Sequence, residues 1–180
     1  MLEVEVKARI DNIEEIKNKL TKINAKKDKI EYQEDIYFNS PIVDFAKTDE
    51  ALRIRKTITN NKEKIFITYK GPKLDQKSKT RREIETEIKN QEEFQEIFEN
   101  LQFKTVRKVK KNRQYYTIEN YTISIDEVEG LEPYMEIETI LNDNNNYDNE
   151  LNKIYEIFET LGITNNFETT SYLELLENKD

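Results

Sequence analysis

The sequence predicts an α+β protein built on a closed, mostly antiparallel barrel of eight strands, with helices packed outside it. Three observations point there. Segments that alternate charged and apolar residues recur along the chain, separated by turn-forming residues. Two amphipathic helical stretches interrupt them and two more end the chain, which leaves about eight strands, roughly the number that closes a small barrel with a usable interior. In strand after strand, the face opposite the apolar positions carries acids and bases.

The elements follow in order. Glu3, Glu5, Lys7 and Arg9 alternate with Val4, Val6 and Ala8, so the four charges share one face of a first strand. Asp11 can cap a helix with Glu14 three residues later, and Ile13, Ile16, Leu20 and Ile23 form its apolar stripe. Ile30 to Phe38 reads as a strand, followed by the turn Asn39-Ser40-Pro41 and an irregular connection to Glu50. Ala51 to Thr57 and Lys64 to Lys70 form a hairpin through Thr59-Asn60-Asn61, and Gly71-Pro72 ends its second strand. Lys73 to Lys79 is a basic loop, after which alternation resumes from Thr80 to Ile88.

Gln91 to Leu101 spaces Phe94, Ile97, Phe98 and Leu101 as a second amphipathic helix facing the core. Phe103 to Ile118 is a long strand, turned by Glu119-Asn120 into Tyr121 to Val128, and Tyr134 to Leu141 is the last. The polar tract Asn142 to Asn149 leads to a helix from Glu150 to Leu161, and a short helix from Ser171 to Leu176 follows.

The chain of 180 residues suits one domain over 1–180. With neither Cys nor His, thiolate and imidazole chemistry are excluded, and a bound metal must be held by oxygen, which favours Mg²⁺ or Mn²⁺. The net charge of −8 argues against polymeric nucleic acid, although a local basic cluster can still bind a small polyanion. No apolar run approaches a membrane span and no basic stretch precedes a hydrophobic one, so a cytoplasmic protein without membrane contact is expected.

A solvated outer face explains one charged strand but not the whole set. Arg53 and Arg55 lie opposite Leu52 and Ile54, Arg81, Glu83 and Glu85 opposite Ile84, Asp126 opposite Ile123 and Ile125, and Glu136 with Glu138 opposite Met135 and Ile137, while Lys70 shares a face with Thr68 and Phe66 and Lys111 and Arg113 share one in the long strand. If helices cover the apolar side, these charges point inward, where they must satisfy one another, water or a ligand. Arg53, Arg55, Lys70, Arg81, Lys111 and Arg113 supply bases suited to phosphate oxygens, and Glu3, Glu5, Asp126, Glu136 and Glu138 supply hard oxygen ligands. Bases for a polyphosphate beside acids for its metal describe a triphosphate site.

Glu3-Val4-Glu5-Val6-Lys7 resembles the ExExK signature of the CYTH superfamily, the triphosphate tunnel enzymes that include class IV adenylyl cyclases and thiamine and inorganic triphosphatases. Leu52-Arg53-Ile54-Arg55, Tyr69-Lys70-Gly71-Pro72, Arg81-Arg82-Glu83, Lys111-Asn112-Arg113, Ile125-Asp126-Glu127-Val128-Glu129-Gly130-Leu131 and Met135-Glu136-Ile137-Glu138 are similar to later family blocks in the same order. Lys70-Gly71-Pro72, Lys111-Asn112-Arg113 and Ser171-Tyr172-Leu173-Glu174-Leu175-Leu176 resemble class IV cyclases most.

The resemblance implies conversion of ATP to 3′,5′-cyclic AMP and pyrophosphate. Glu3, Glu5, Glu136, Asp126 and Glu138 would hold Mg²⁺ or Mn²⁺; Lys7, Arg53, Arg55, Lys70, Arg81, Lys111 and Arg113 would grip the triphosphate. Glu5, Lys111 and Glu136 are the implied catalytic residues. The alternatives are a triphosphatase acting on tripolyphosphate, thiamine triphosphate or a nucleotide, with Glu83 or Glu85 orienting water, and a non-catalytic polyphosphate or nucleotide binder. A homodimer is also implied, for which an apolar strip on the terminal helices offers a surface.

Overall fold

The computed structural model describes residues 2–74, 79–141 and 147–179. Its elements run β1 (Leu2–Arg9), α1 (Ile13–Lys22), β2 (Lys26–Asn39), α2 (Phe45–Thr48), β3 (Ala51–Thr59), β4 (Lys62–Lys73) and β5 (Arg81–Ile88). There follow α3 (Gln91–Asn100), β6 (Lys104–Ile118), β7 (Tyr121–Val128), β8 (Tyr134–Leu141), α4 (Tyr147–Thr160), β9 (Phe167–Glu168) and α5 (Tyr172–Glu177). Hydrogen-bonded neighbours run β5-β4-β3-β2-β6-β7-β8-β1, and a further β1–β5 pairing joins the ends into a closed antiparallel barrel.

The closing seam is short. Leu2 pairs with Arg82 and Glu3 with Arg81, and the Lys79 N–H extends the ladder to the Glu5 carbonyl at 3.0 Å. Beyond that point β9 takes over, pairing with Lys7 and Ala8 and covering an edge that would otherwise expose unpaired backbone. Asn60 and Asn61, at φ of 50° and 60°, make the tight left-handed turn of the β3–β4 hairpin, a conformation Asn tolerates well.

Several local expectations are corrected. Asn12, not Asp11, caps α1: its side-chain oxygen accepts from the Glu15 N–H at 3.1 Å. Gly71-Pro72 does not end β4, because the ladder slips between Lys70 and Lys73 and the irregularity accommodates a residue without an N–H. The connection after Asn39 contains the single turn α2, and β9 is an extra two-residue strand. The expected loop Lys73 to Lys79 and tract Asn142 to Asn149 lie partly outside the described residues.

The helices cover the apolar outer face. Ile16 and Leu20 of α1 and Leu151, Ile154 and Phe158 of α4 pack with Val4, Val6, Ile123, Ile125, Met135 and Ile137. Phe94 and Phe98 of α3 cover Ile36, Ile54 and Ile65 on another side, whereas Ile97 and Leu101 remain exposed, so that helix buries a narrower stripe than its spacing predicts. The last helix crosses one end of the barrel. Ser171 caps it in a reciprocal box with Glu174, and Tyr172 and Leu176 bury themselves against Tyr37, Val109, Val128 and Tyr134. Gly130 makes this approach possible: its φ is +85°, and a Cβ there would lie 3.2 Å from Leu176 Cδ2. The apolar residues of α4 and α5 are thus used on the barrel, and no large exposed hydrophobic belongs to either helix among the described residues, which corrects the expected dimer strip. No described helix is long and apolar enough to cross a membrane.

Candidate active site

Strand alternation and antiparallel register together bring the charges inward. The pairing sets Glu5 across from Glu138, Lys7 across from Glu136, Asp35 across from Arg55, Arg113 across from Asp126 and Lys70 across from Glu83. Of these, Glu5, Glu138, Glu136, Arg55, Arg113, Lys70 and Glu83 line a cavity of about 1090 Å³ that meets a second, of about 510 Å³, at Arg55, Glu85 and Tyr115.

One wall is acidic. The carboxylates of Glu3, Glu5 and Glu138 each offer an oxygen, all within 4.8 Å of one another. Burial pushes Glu3 up from the usual carboxylate range, assisted by Glu83, Glu5 and Glu138 against the opposing pull of Lys70. Glu5 is raised in the same way by burial and then by Glu136. Three converging hard oxygens with incompletely compensated negative charge fit Mg²⁺ or Mn²⁺. Glu136 differs: one oxygen accepts from Lys79 at 2.8 Å and the other from Arg113, and these cations overcome burial to hold it well below the usual range.

The facing wall is basic. Arg55 forks onto Asp35 through Nε and a terminal nitrogen, both at 2.6 Å, while Arg53 stands 3.6 Å from the same aspartate and leaves its buried Nε without a hydrogen-bond partner. That open donor suits an anionic oxygen. Lys111 and Arg113 line the same cavity, and burial, with Arg113 beside it, pushes the Lys111 amine down to about 7. Lys70 bonds to Glu83, which burial would raise but Lys70 holds at about 2. Glu85 accepts from the Thr68 hydroxyl at 2.8 Å and remains exposed.

Three expected site residues are engaged elsewhere. Asp126 is fully buried and receives a fork from Arg113, the Tyr172 hydroxyl at 2.7 Å and Lys111 at 3.4 Å, so it orients the basic wall and lies outside the Glu3, Glu5 and Glu138 cluster. Lys7 is also fully buried and does not line the cavity; its ammonium donates to the Thr170 carbonyl and lies 4.2 Å from the Tyr172 ring centre. Arg81 reaches the cavity but is tied to the Asp49 and Gly71 carbonyls, both at 3.2 Å. Conversely, sequence reading missed Asp35, Tyr172 and Lys79. Asp35 alternates in phase with the inward residues of β2 and was findable; Lys79 lies off any alternating strand and carried no signal.

The CYTH domain pattern matches residues 1–172. The chain belongs to the CYTH family. This CYTH protein is 45% identical over 176 residues to a Methanocaldococcus jannaschii protein named a putative adenylate cyclase, covering 97% of this chain and 98% of that one. It superposes on a Pyrococcus horikoshii protein with a TM-score of 0.93 at 44% identity, covering 99% of each chain. A Hippeastrum protein, described as a putative adenylyl cyclase with a dominant triphosphatase activity, has the same fold at a TM-score of 0.69 and 19% identity, with 99% of this chain and 96% of that one covered.

Proposed function

We propose that this CYTH protein is a divalent-metal-dependent enzyme acting on small triphosphates, and that its reaction converts ATP to 3′,5′-cyclic AMP and pyrophosphate. The observation that carries this reading is the composition of one cavity, where the Glu3, Glu5 and Glu138 cluster faces a wall containing Arg53, Arg55 and Arg113. Phe45, Val106 and Leu173 line the same cavity and offer apolar surface to an organic group, which a bare polyphosphate would not use. The similarity to a protein named for adenylate cyclase activity supports the same choice.

In this reading Glu3, Glu5 and Glu138, with Glu136 beside them, hold Mg²⁺ or Mn²⁺. A divalent ion bound there would polarise phosphate oxygens and ease ionisation of the attacking hydroxyl. Arg53, Arg55, Lys70, Lys111 and Arg113 grip the triphosphate and offset charge that develops on the leaving pyrophosphate, with Asp35 and Asp126 fixing the guanidiniums beforehand. Attack by the ribose 3′-oxygen forms one bond to the α-phosphorus, the bond to pyrophosphate breaks, and the hydroxyl proton passes to water.

A second reading, triphosphate hydrolysis, draws on Glu85, an exposed carboxylate at the junction of the two cavities where it can orient water. Incubation with ATP, tripolyphosphate or thiamine triphosphate, each with Mg²⁺ or Mn²⁺, tests the choice. Cyclic AMP with equal pyrophosphate is expected from ATP. Released orthophosphate without cyclic AMP means a triphosphatase, and binding without turnover means a non-catalytic triphosphate binder.

A further inference from the structure

The ammonium of Lys79 occupies an unusual position. It donates to Glu5 Oε1 and, at 2.8 Å, to Glu136 Oε1, and its side chain is only 13% exposed. Glu5 is also a member of the three-carboxylate cluster, so the ammonium is paired with a carboxylate that a divalent ion would use. Lys79 belongs to neither β4 nor β5. Its backbone is held to β1 by the N–H donated to the Glu5 carbonyl at 3.0 Å, and the carbonyl of the next residue, Thr80, accepts from the Leu74 N–H at 2.9 Å.

We propose that Lys79, bridging Glu5 and Glu136, is a tethered cation that occupies the Glu5 carboxylate of the Glu3–Glu5–Glu138 metal cluster, and that metal binding displaces it onto the triphosphate. The inference rests on the metal–triphosphate reading above and adds an order to it. An ammonium and a divalent ion cannot share the same carboxylate oxygens without strong repulsion at short range and low dielectric. The anchored backbone and the flexible four-carbon stem let the charge swing away without breaking the sheet. With no other anion present, expulsion leaves Lys79 buried and unpartnered, so metal alone binds weakly. A triphosphate in the adjoining cavity gives the expelled ammonium new oxygens, so metal and triphosphate bind cooperatively, each raising affinity for the other.

Mn²⁺ binding to the whole chain, followed by electron paramagnetic resonance without nucleotide, tests this directly. Lys79→Met, which keeps length and loses charge, should bind Mn²⁺ alone about tenfold more tightly than the unsubstituted protein, with tripolyphosphate then adding less to Mn²⁺ affinity than before. Lys79→Arg, which keeps the charge, should remain as weak as the original. Lys79→Gln carries the same expectation as Met and serves if methionine in this polar setting prevents folding. Equal or weaker Mn²⁺ binding by a folded, uncharged variant overturns the Lys79 proposal while leaving the metal site intact. Failure of every protein to bind Mn²⁺, with or without tripolyphosphate, overturns the metal reading and the displacement together.

Discussion

The acidic wall of β1 and β8 and the basic wall of β3 and β6 are built from the same alternation, yet their charges are balanced differently. In the ring of eight strands β3 lies opposite β8, whereas β6 is only two strands from β8, close enough for Arg113 to donate to Glu136. On the basic wall each arginine cluster has a buried aspartate of its own: Asp35 for Arg53 and Arg55, and Asp126 for Lys111 and Arg113. On the acidic wall Glu5 lies directly across from Glu138, a like-charge pair, and Glu3 joins them. The charges of the basic wall are therefore paired within the fold, whereas Glu3, Glu5 and Glu138 stand as like charges beside one another.

The two walls should consequently respond oppositely to removal of one carboxylate. Burial alone would raise Asp126, but Arg113 and Lys111 more than offset it and hold it low. Asp126→Asn leaves Lys111 buried without its counter-charge and Arg113 with Glu136 alone, and urea denaturation should register a loss of about 3–5 kcal/mol. A loss below 1 kcal/mol would mean that Asp126 does not anchor this wall.

Glu5→Gln should leave the fold nearly unchanged, since it relieves crowding among carboxylates, and should lower metal-dependent turnover by about 100-fold or more, beyond the usual cost of disturbing a ligand's supporting contacts. Steady-state rates alongside a thermal melt measure both; activity within twofold of the original would remove Glu5 from the site.

Glu3→Gln sharpens the contrast through stability. A carboxyl raised by folding contributes stability that is present below the ordinary carboxylate range and lost as pH rises through its raised value, whereas one held low contributes stability above that range and loses it on acidification. Glu3 is of the first kind and Asp126 of the second. In chelator at pH 7, Glu3→Gln should therefore stabilise the protein by about 1 kcal/mol in chemical denaturation. Destabilisation instead would show that its pairing with Lys70, at 3.9 Å, outweighs burial and its acidic neighbours.

The smallest effect concerns protons. Burial lowers Lys111 to about 7, with Arg113 contributing, and burial together with Lys79 lowers Lys7 to about 7. A lowered lysine is mostly neutral above that value, and a polyanion favours its charged form. Metal-free tripolyphosphate should accordingly bind at pH 8 with net uptake of about one proton, and affinity should fall from pH 7 to pH 9. Calorimetry in two buffers of different ionisation heat measures the uptake; Lys111→Met should remove most of it, and identical heats in both buffers for the unsubstituted protein would contradict it.

Much of the site was legible because β-strands convert sequence parity into geometry. Glu3, Glu5, Arg53, Arg55, Glu136 and Glu138 were placed on a common inner face by their alternation with apolar residues, Lys111 and Arg113 by sharing one strand phase, and the barrel follows from how many such strands there are. Parity says nothing about depth, however. Lys7 and Lys111 share the inward phase, yet Lys7 lies behind the cavity wall because Tyr172 and the Thr170 carbonyl come in over it from the end of the chain. Asp126 also has the inward phase, and its register against Arg113 is what pairs it with the basic wall.

The sequence by itself determined which side chains turn inward, that any resident metal must be held by oxygen, and that the fold is a barrel clothed by amphipathic helices, because these depend on periodicity and composition. Only the tertiary structure decided which charges neutralise one another and which remain open. That division depends on distances of a few ångströms between residues far apart in the chain, as when Lys79 bridges Glu5 and Glu136 or Tyr172 reaches Asp126.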